Sequence, residues 1–497
     1  MGILIGVDVG TGGVRALAVD ADSGEVVAEA GSSYPLASPR PGWSEQDPGD
    51  WWHATTDALR ALAARVEDEI LGIGLTGQMH GSVFLDGADH VIRPALLWND
   101  QRTARQCREI SEHVGVERLI AISGNPALTG FQAPKILWLR EEEPENYARL
   151  SRILLPKDYI RLMLTGEYAT DASDASGTLL LDVKRRDWSP EILDALEIDR
   201  SWLPEVFEGP EKTGTLRREA AEQTNLPAGI PVAAGGGDNA AAAVGVGVVR
   251  EGILSSSVGT SGVLFAHTGT FTPDPSGRVH AFCHAVPGAY HLMGVTLSAG
   301  GSLSWWREKL GRDFDELVEA ASGVEPGAEG LLFLPYLSGE RTPHLDPGAR
   351  GAFVGLTIRH GVEHMTRALM EGVVFSLRDS LEILRSLGVG VEEIRATGGG
   401  ARSPLWRSLQ ADIYEEEIVR TTSDEGPAYG AALLAGVASG VYGDVAEAVS
   451  RVRLRGEVTR PDPERARLYT EYYRIYRTLY EANREAMHAL TQLAGGG

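Results

Sequence analysis

Two aspartates and two copies of one glycine turn are the residues of this sequence best placed to do chemistry. Asp8 stands directly before VGTGGV at 9–14. The phrase returns as VGTSGV at 258–263, 249 residues later in a chain of 497. Glycine-rich turns offer backbone N–H groups to phosphate oxygens, so two of them facing one cleft suit two parts of one polyphosphate. Ser257 stands where Asp8 does, so only one side brings a carboxylate, as one nucleotide with one metal requires. Each turn also fits a simple β-hairpin tip, where glycine permits positive φ.

Asp238 lies in GGGDNAAAAVG, after an apolar stretch and before an alanine run. One reading is a helix N-cap. The other is a carboxylate that accepts a proton from a substrate hydroxyl, kept anionic by the helix N-terminus. Asp8 is either a polar strand end or a Mg²⁺ ligand acting through water, because Mg²⁺ keeps much of its shell beside phosphates. GGGA at 398–401 is a third glycine turn, suited to a nucleoside or to tight packing. It lacks the dinucleotide spacing G-x-G-x-x-G, and there is no Walker lysine motif. His80 in GQMHG, beside Gln78 and Met79, could hydrogen-bond a sugar hydroxyl, although a lone histidine is more often structural. SEQDP at 44–48 and LLWNDQRT at 96–103 read as caps and turns, with Asn99, Asp100 and Arg102 able to form a surface ion-pair network. No C-x-x-C or G-x-S-x-G pattern supports a zinc-thiolate site or a serine hydrolase.

These residues need elements to hold them. Residues 3–9 and 14–19 predict a hairpin, 48–66 an amphipathic helix, and 69–76 a buried strand running into the GQMHG turn. A helix is expected over 152–165 and a strand over 231–237. Later strands are expected at 331–337 and 394–397, with helices at 364–387, 404–414, 428–438 and 463–493. A repeat at half-length in an α/β pattern predicts two similar domains, 1–249 and 250–497, around a shared cleft.

The net charge of −23, with no basic run, argues against a nucleic-acid surface but not against ATP held by local dipoles and a metal. Two cysteines cannot build a disulfide framework, and they fit a reducing compartment. The first residues lack the basic and apolar regions of a signal peptide, and the most apolar stretch, 240–249, is too short to span a bilayer. A cytoplasmic protein is expected.

Taken together, DVGTGGVR at 8–15, GGGDNA at 235–240, SVGTSG at 257–262 and GGGARSPLWRSLQAD at 398–412 resemble the FGGY carbohydrate kinases, collinearly over nearly the whole chain. GWSEQDP, GQMHG, LLWNDQRT, LLPKDY and LPYLSGERTPH resemble its xylulose-phosphorylating branch. The resemblance implies two actin-like ATPase (ribonuclease H-like) domains hinged on a deep cleft, and ATP-dependent phosphorylation of D-xylulose at its 5-hydroxyl with Mg²⁺. It implies Asp238 as catalytic base, with Met79, His80 and Asn239 at the sugar. It implies Thr11, Gly12, Gly13, Arg15, Gly259 and Thr260 near the phosphates, Gly399, Gly400 and Ala401 near adenosine, and Asp8 at the metal. A homodimer is the family habit. Gly12 departs from the family, where a hydroxyl residue is common. The alternatives are a same-fold kinase for another ketose or polyol, a non-kinase actin-like ATPase, and a catalytically silent sugar sensor.

Overall fold

The computed structural model describes residues 2–421, 426–451 and 455–494. Its core is one plan built twice. In the first half, strand Gly2–Val9 runs antiparallel to Gly13–Asp20 and parallel to Glu69–Gly77. In the second, Gly252–Val258 runs antiparallel to Gly262–Thr268 and parallel to Val391–Thr397. Each set belongs to a seven-stranded sheet. The sequence repeat therefore marks equivalent hairpin tips: Asp8 lies opposite Arg15 and Thr76, and Ser257 lies opposite Val263 and Thr397.

The apolar pattern explains the layers. Helix Pro48–Ala63 starts at an Asp47 N-cap with proline in its first turn and packs Trp51, Leu59 and Leu62 on the first sheet. Helix Val362–Ser386 lies across the second sheet with Leu369, Val373, Phe375 and Leu377 buried. The tail helix Pro463–Leu493 seats Tyr469, Tyr473 and Tyr476 on that same core.

Two helices join the halves. Helix Pro427–Ala438, from the second half of the chain, lies on the first sheet and against helix Asp238–Gly245. Only glycine permits this approach: a methyl group at Gly74 would stand 1.8 Å from the Ala431 carbonyl oxygen, and one at Gly430 the same distance from that of Ala241.

Three expectations change. The helix expected over 152–165 starts at Pro156, because the residue before proline is driven out of the helical region; Arg152–Leu154 is a strand paired with Val83–Leu85. The strand over 231–237 is two pieces, Pro231–Ala233 and Gly236–Gly237, broken where Gly235 takes φ +78°. At 331–337 only Leu332–Leu334 is a strand, in a small separate sheet with Ala352–Val354.

Candidate active site

Strand Glu69–Gly77 sets the first part of the site. Asp8 pairs with Thr76 on one flank, and Gly236 pairs with Thr76 on the other. Asp238 follows Gly237, so the two aspartates leave the same end of the parallel strands, separated by roughly two strand spacings, ~10 Å. This is the edge at which α/β folds place their ligands. Asp238 is not the helix N-cap; Gly237 is, and Asp238 is the first residue of helix Asp238–Gly245. Its Oδ1 accepts from the Asn239 backbone N–H at 2.7 Å and from Asn239 Nδ2 at 2.8 Å. Burial raises its pKa to about 6 against those two bonds. Asp8 is raised to about 7 by burial and then by the charge of Asp238, with Arg15 opposing. Its Oδ1 has no hydrogen-bond partner.

Met79 packs against the backbone beside Asp238: a methyl group on Gly237 would meet its Sδ at 2.9 Å. His80 takes φ +66°, which turns its ring inward. Nδ1 lies 2.6 Å from the Gly177 carbonyl oxygen, and the ring stands edge-on to Phe131. A carbonyl only accepts, so Nδ1 carries the proton and Nε2 is an acceptor. Burial lowers the pKa of His80 to about 3, so the ring is neutral.

The first glycine turn is held from three sides. Trp98 Nε1 donates to Thr11 Oγ1 at 2.9 Å, Thr11 Oγ1 donates to Gln78 Oε1 at 3.3 Å, and Gln46 Nε2 donates to the Thr11 carbonyl at 2.7 Å. Gly12 is exposed with open space around it, while Gly13 is pinned on the Ser32 carbonyl. Arg15 faces Asp8 across the hairpin and pairs with Glu29 at 2.7 Å. Asp100 and Arg102 correct the expectation of a surface network. Asp100 is fully buried; it accepts from Ser44 N at 2.7 Å and pairs with Arg102, which also reaches Glu45 at 2.8 Å. The SEQDP and LLWNDQRT segments thus form one buried brace under the first glycine turn.

In the second half, Gly259, Thr260, Gly399 and Gly400 line a cavity of about 820 Å³ with Phe314 and Trp406. That volume suits a nucleoside. The carbonyls of Gly259 and Thr260 accept from Gly300 and Gly301, which fixes the second turn on helix Gly300–Leu310. Ala401 lies outside this wall. It sits in the core, where its carbonyl accepts from Arg407 Nη1 at 2.7 Å. Thr11, Gly12, Gly13 and Arg15 belong to the opposite half and do not line this cavity.

A buried cluster of charges beneath Asp238 was not among the expected site residues. Lys157, Asp158, Asp171 and Asp174 are all buried, with Lys157 Nζ 2.6 Å from Asp158 and 2.8 Å from Asp171. Asp171 accepts from the Ser173 hydroxyl, which in turn accepts from Gly237 N at 3.1 Å. The only signal was the KDY and SDAS phrases, which look like ordinary helix starts.

Profiles of the FGGY family of carbohydrate kinases match residues 3–245 with the N-terminal domain and 254–439 with the C-terminal domain. The chain belongs to this family. It is 42% identical over 505 residues to a xylulose kinase of Lactococcus lactis, covering 100% of both chains. It is 43% identical over 480 residues to the xylulose kinase of Escherichia coli, covering 96% of this chain and 98% of that protein. Its fold matches the crystal structure of a xyloylose kinase from Brucella ovis with TM-score 0.92 at 41% identity, over 97% of this chain and 100% of the other. This is the sugar-kinase form of the actin-like ATPase fold, and the kinase takes its phosphoryl group from ATP. Among the described residues no helix is long and apolar enough to cross a membrane.

Proposed function

We propose that this kinase transfers the γ-phosphoryl group of ATP to the 5-hydroxyl of D-xylulose, giving D-xylulose 5-phosphate and ADP. The observation that carries the reading is the pair Asp8 and Asp238 at one sheet edge, beside His80. The whole-length likeness to xylulose kinases supports the sugar assignment. Residues 1–249 serve as the sugar-binding half and 250–497 as the nucleotide half.

Asp238 acts as base. It takes the proton of the sugar O5 as that oxygen bonds to the γ-phosphorus and the bond from phosphorus to the β–γ bridging oxygen breaks, releasing ADP. Phosphoryl transfer asks the protein chiefly for in-line placement and charge neutralisation. Neutral His80 accepts from a sugar hydroxyl at Nε2, Met79 packs on the carbon face, and Asn239 both holds Asp238 and reaches the sugar. The N–H groups of Thr11, Gly12, Gly13 and Thr260 meet the phosphates, with Gly259 shaping the second turn through its own bond to the Ser261 carbonyl; Arg15 tempers the charge of Asp8, and Gly399 and Gly400 let adenosine lie flat.

The residues fit a magnesium ion. Asp8 Oδ1 is buried with no donor, beside the first glycine turn, and one carboxylate acting through water is enough where phosphates supply the other ligands. Bound there, Mg²⁺ would neutralise charge developing on the phosphates. The free thiols of Cys107 and Cys283 suit the reducing cytoplasm in which we place the enzyme.

A coupled ADP-release assay with ATP and Mg²⁺ over a panel of ketoses, aldonates and polyols tests the reading. D-xylulose should give the highest kcat/KM. A different preferred sugar overturns the substrate assignment, and sugar-independent ATP hydrolysis at full rate overturns the kinase assignment.

A further inference from the structure

One half-buried cation of the second half forms no ion pair among the described residues. Arg341 lies in the segment 334–344 (LPYLSGERTPH) and is half-buried. Its Nη1 donates to His280 Nε2 at 3.3 Å. The direction of that bond follows from the neighbours. Asn125 Nδ2 donates to the carbonyls of Ser123 and Ala281 at 3.1 Å each, so Asn125 Oδ1 must accept from His280 Nδ1, 2.6 Å away. Nε2 of the neutral ring is then an acceptor, and Arg341 fills it. Burial and the Arg341 charge keep His280 well below the usual histidine range.

A guanidinium has about five N–H donors, and this contact uses one. The adjoining Glu340 spends its carboxylate on Thr296 Oγ1, the Leu297 N–H and the backbone N–H of Arg341 itself. Other deep arginines of this half are matched: Arg367 by Glu371, Arg378 by Glu415 and Arg407 by Glu457. Arg341 makes no such ion pair among the described residues. Burial lowers the pKa of Arg341 and the Glu340 charge opposes it, so an acceptor that reaches the spare donors is favoured.

The position says which acceptor. His280 stacks on Phe282 at 5.4 Å between ring centroids, Phe282 lies 6.2 Å from His80, and Phe131 touches both histidines at 4.7 and 6.0 Å. Arg341 and His80 therefore stand on one aromatic floor, contributed from opposite halves. Contacts run from Asp238 through Met79 and His80 across this floor to Arg341, so Arg341 sits at the end away from the base.

We propose that Arg341 is a sugar-binding residue supplied by the second half. It donates to the oxygens at the end of the ketose remote from the hydroxyl that Asp238 deprotonates. The ketose carbonyl, which only accepts, is its first partner. This rests on reading the site as a ketose kinase.

The test compares wild type with R341Q, R341M and R341K on D-xylulose and on the matching alditol xylitol, with ATP kinetics and thermal melting in parallel. R341Q and R341M should raise KM for D-xylulose by about ten-fold or more, with ATP KM and melting unchanged. R341K should recover part of that loss. The preference for D-xylulose over xylitol should shrink in all three. An unchanged KM for D-xylulose in a folded R341Q or R341M overturns the proposal, as does an equal rise in ATP KM, which would mark a packing role through His280. Wild type reports separately on the function reading: if it prefers another sugar, that reading fails and the variants are scored on that sugar.

Discussion

The charge of Asp238 bears on the titration of Asp8. Asp8 is held up to about 7 by its burial and by the Asp238 charge, while Asp238, anchored by two bonds from Asn239, lies at about 6. Two carboxylates set at the same sheet edge repel, and a proton on Asp8 or a cation beside it relieves that repulsion. Arg15 relieves Asp8 in part, but its guanidinium is also committed to Glu29.

Asp238→Asn keeps the shape and loses the base. We expect kcat to fall by about 10³-fold, within the range that positioned proton transfer supplies, with KM for the sugar changed by less than about five-fold. Steady-state kinetics with a circular-dichroism control checks this. Turnover near wild type removes Asp238 from its role.

The pH dependence follows in sign from the raised carboxylates. Both carboxylates must be ionised, so kcat/KM should rise with pH as Asp238 loses its proton near 6 and Asp8 near 7, and flatten above both. His80, lowered to about 3, stays neutral across this window and adds no second limb. A pH profile from 4.5 to 8.5 decides, and a rate flat through pH 6 contradicts the assignment.

Asp8→Asn should stabilise the apo enzyme while disabling it. Between the unfolded value of 3.8 and the folded value of about 7, the native state holds the proton more tightly than the unfolded chain does. Stability therefore falls as pH rises through that interval, and the cost is complete above it. The variant should melt about 2 °C higher than wild type at pH 8 without nucleotide and no higher at pH 4. Differential scanning fluorimetry at the two pH values reads this, and a lower melting point at pH 8 refutes it.

Gly74→Ala should destabilise by about 2 kcal/mol or more, because its methyl group would press on the Ala431 carbonyl of the helix that joins the halves. Denaturant melts compare it with Gly12→Ala, whose methyl group meets nothing within 4 Å. Equal stability of the two variants would show that the crossing helices can part at low cost.

Much of this was legible in the chain because it is local. The twin VGTxGV turns fold as matching hairpin tips, Pro404–Tyr414 and Pro463–Leu493 begin at their prolines, and the strand into GQMHG ends at Gly77. What local pattern misread was context. LLWNDQRT looked like a solvated ion-pair loop, yet Asp100 is buried because Ser44, more than fifty residues earlier, donates to it. Ala401 looked like part of the adenosine turn, but the short helical turn Gly399–Arg402 rotates it into the core.

The sequence alone determined the repeated α/β plan, the glycine turns and the two aspartates, since periodicity, turn chemistry and residue type act over a few positions. It took the three-dimensional arrangement of strands to set Asp8 and Asp238 on the two flanks of one strand. Tertiary structure also decided that the proton of His80 sits on Nδ1 and that Arg341 shares a floor with His80. Those facts depend on strand order, on which carbonyl a ring meets, and on segments more than 250 residues apart coming together, which no local pattern encodes.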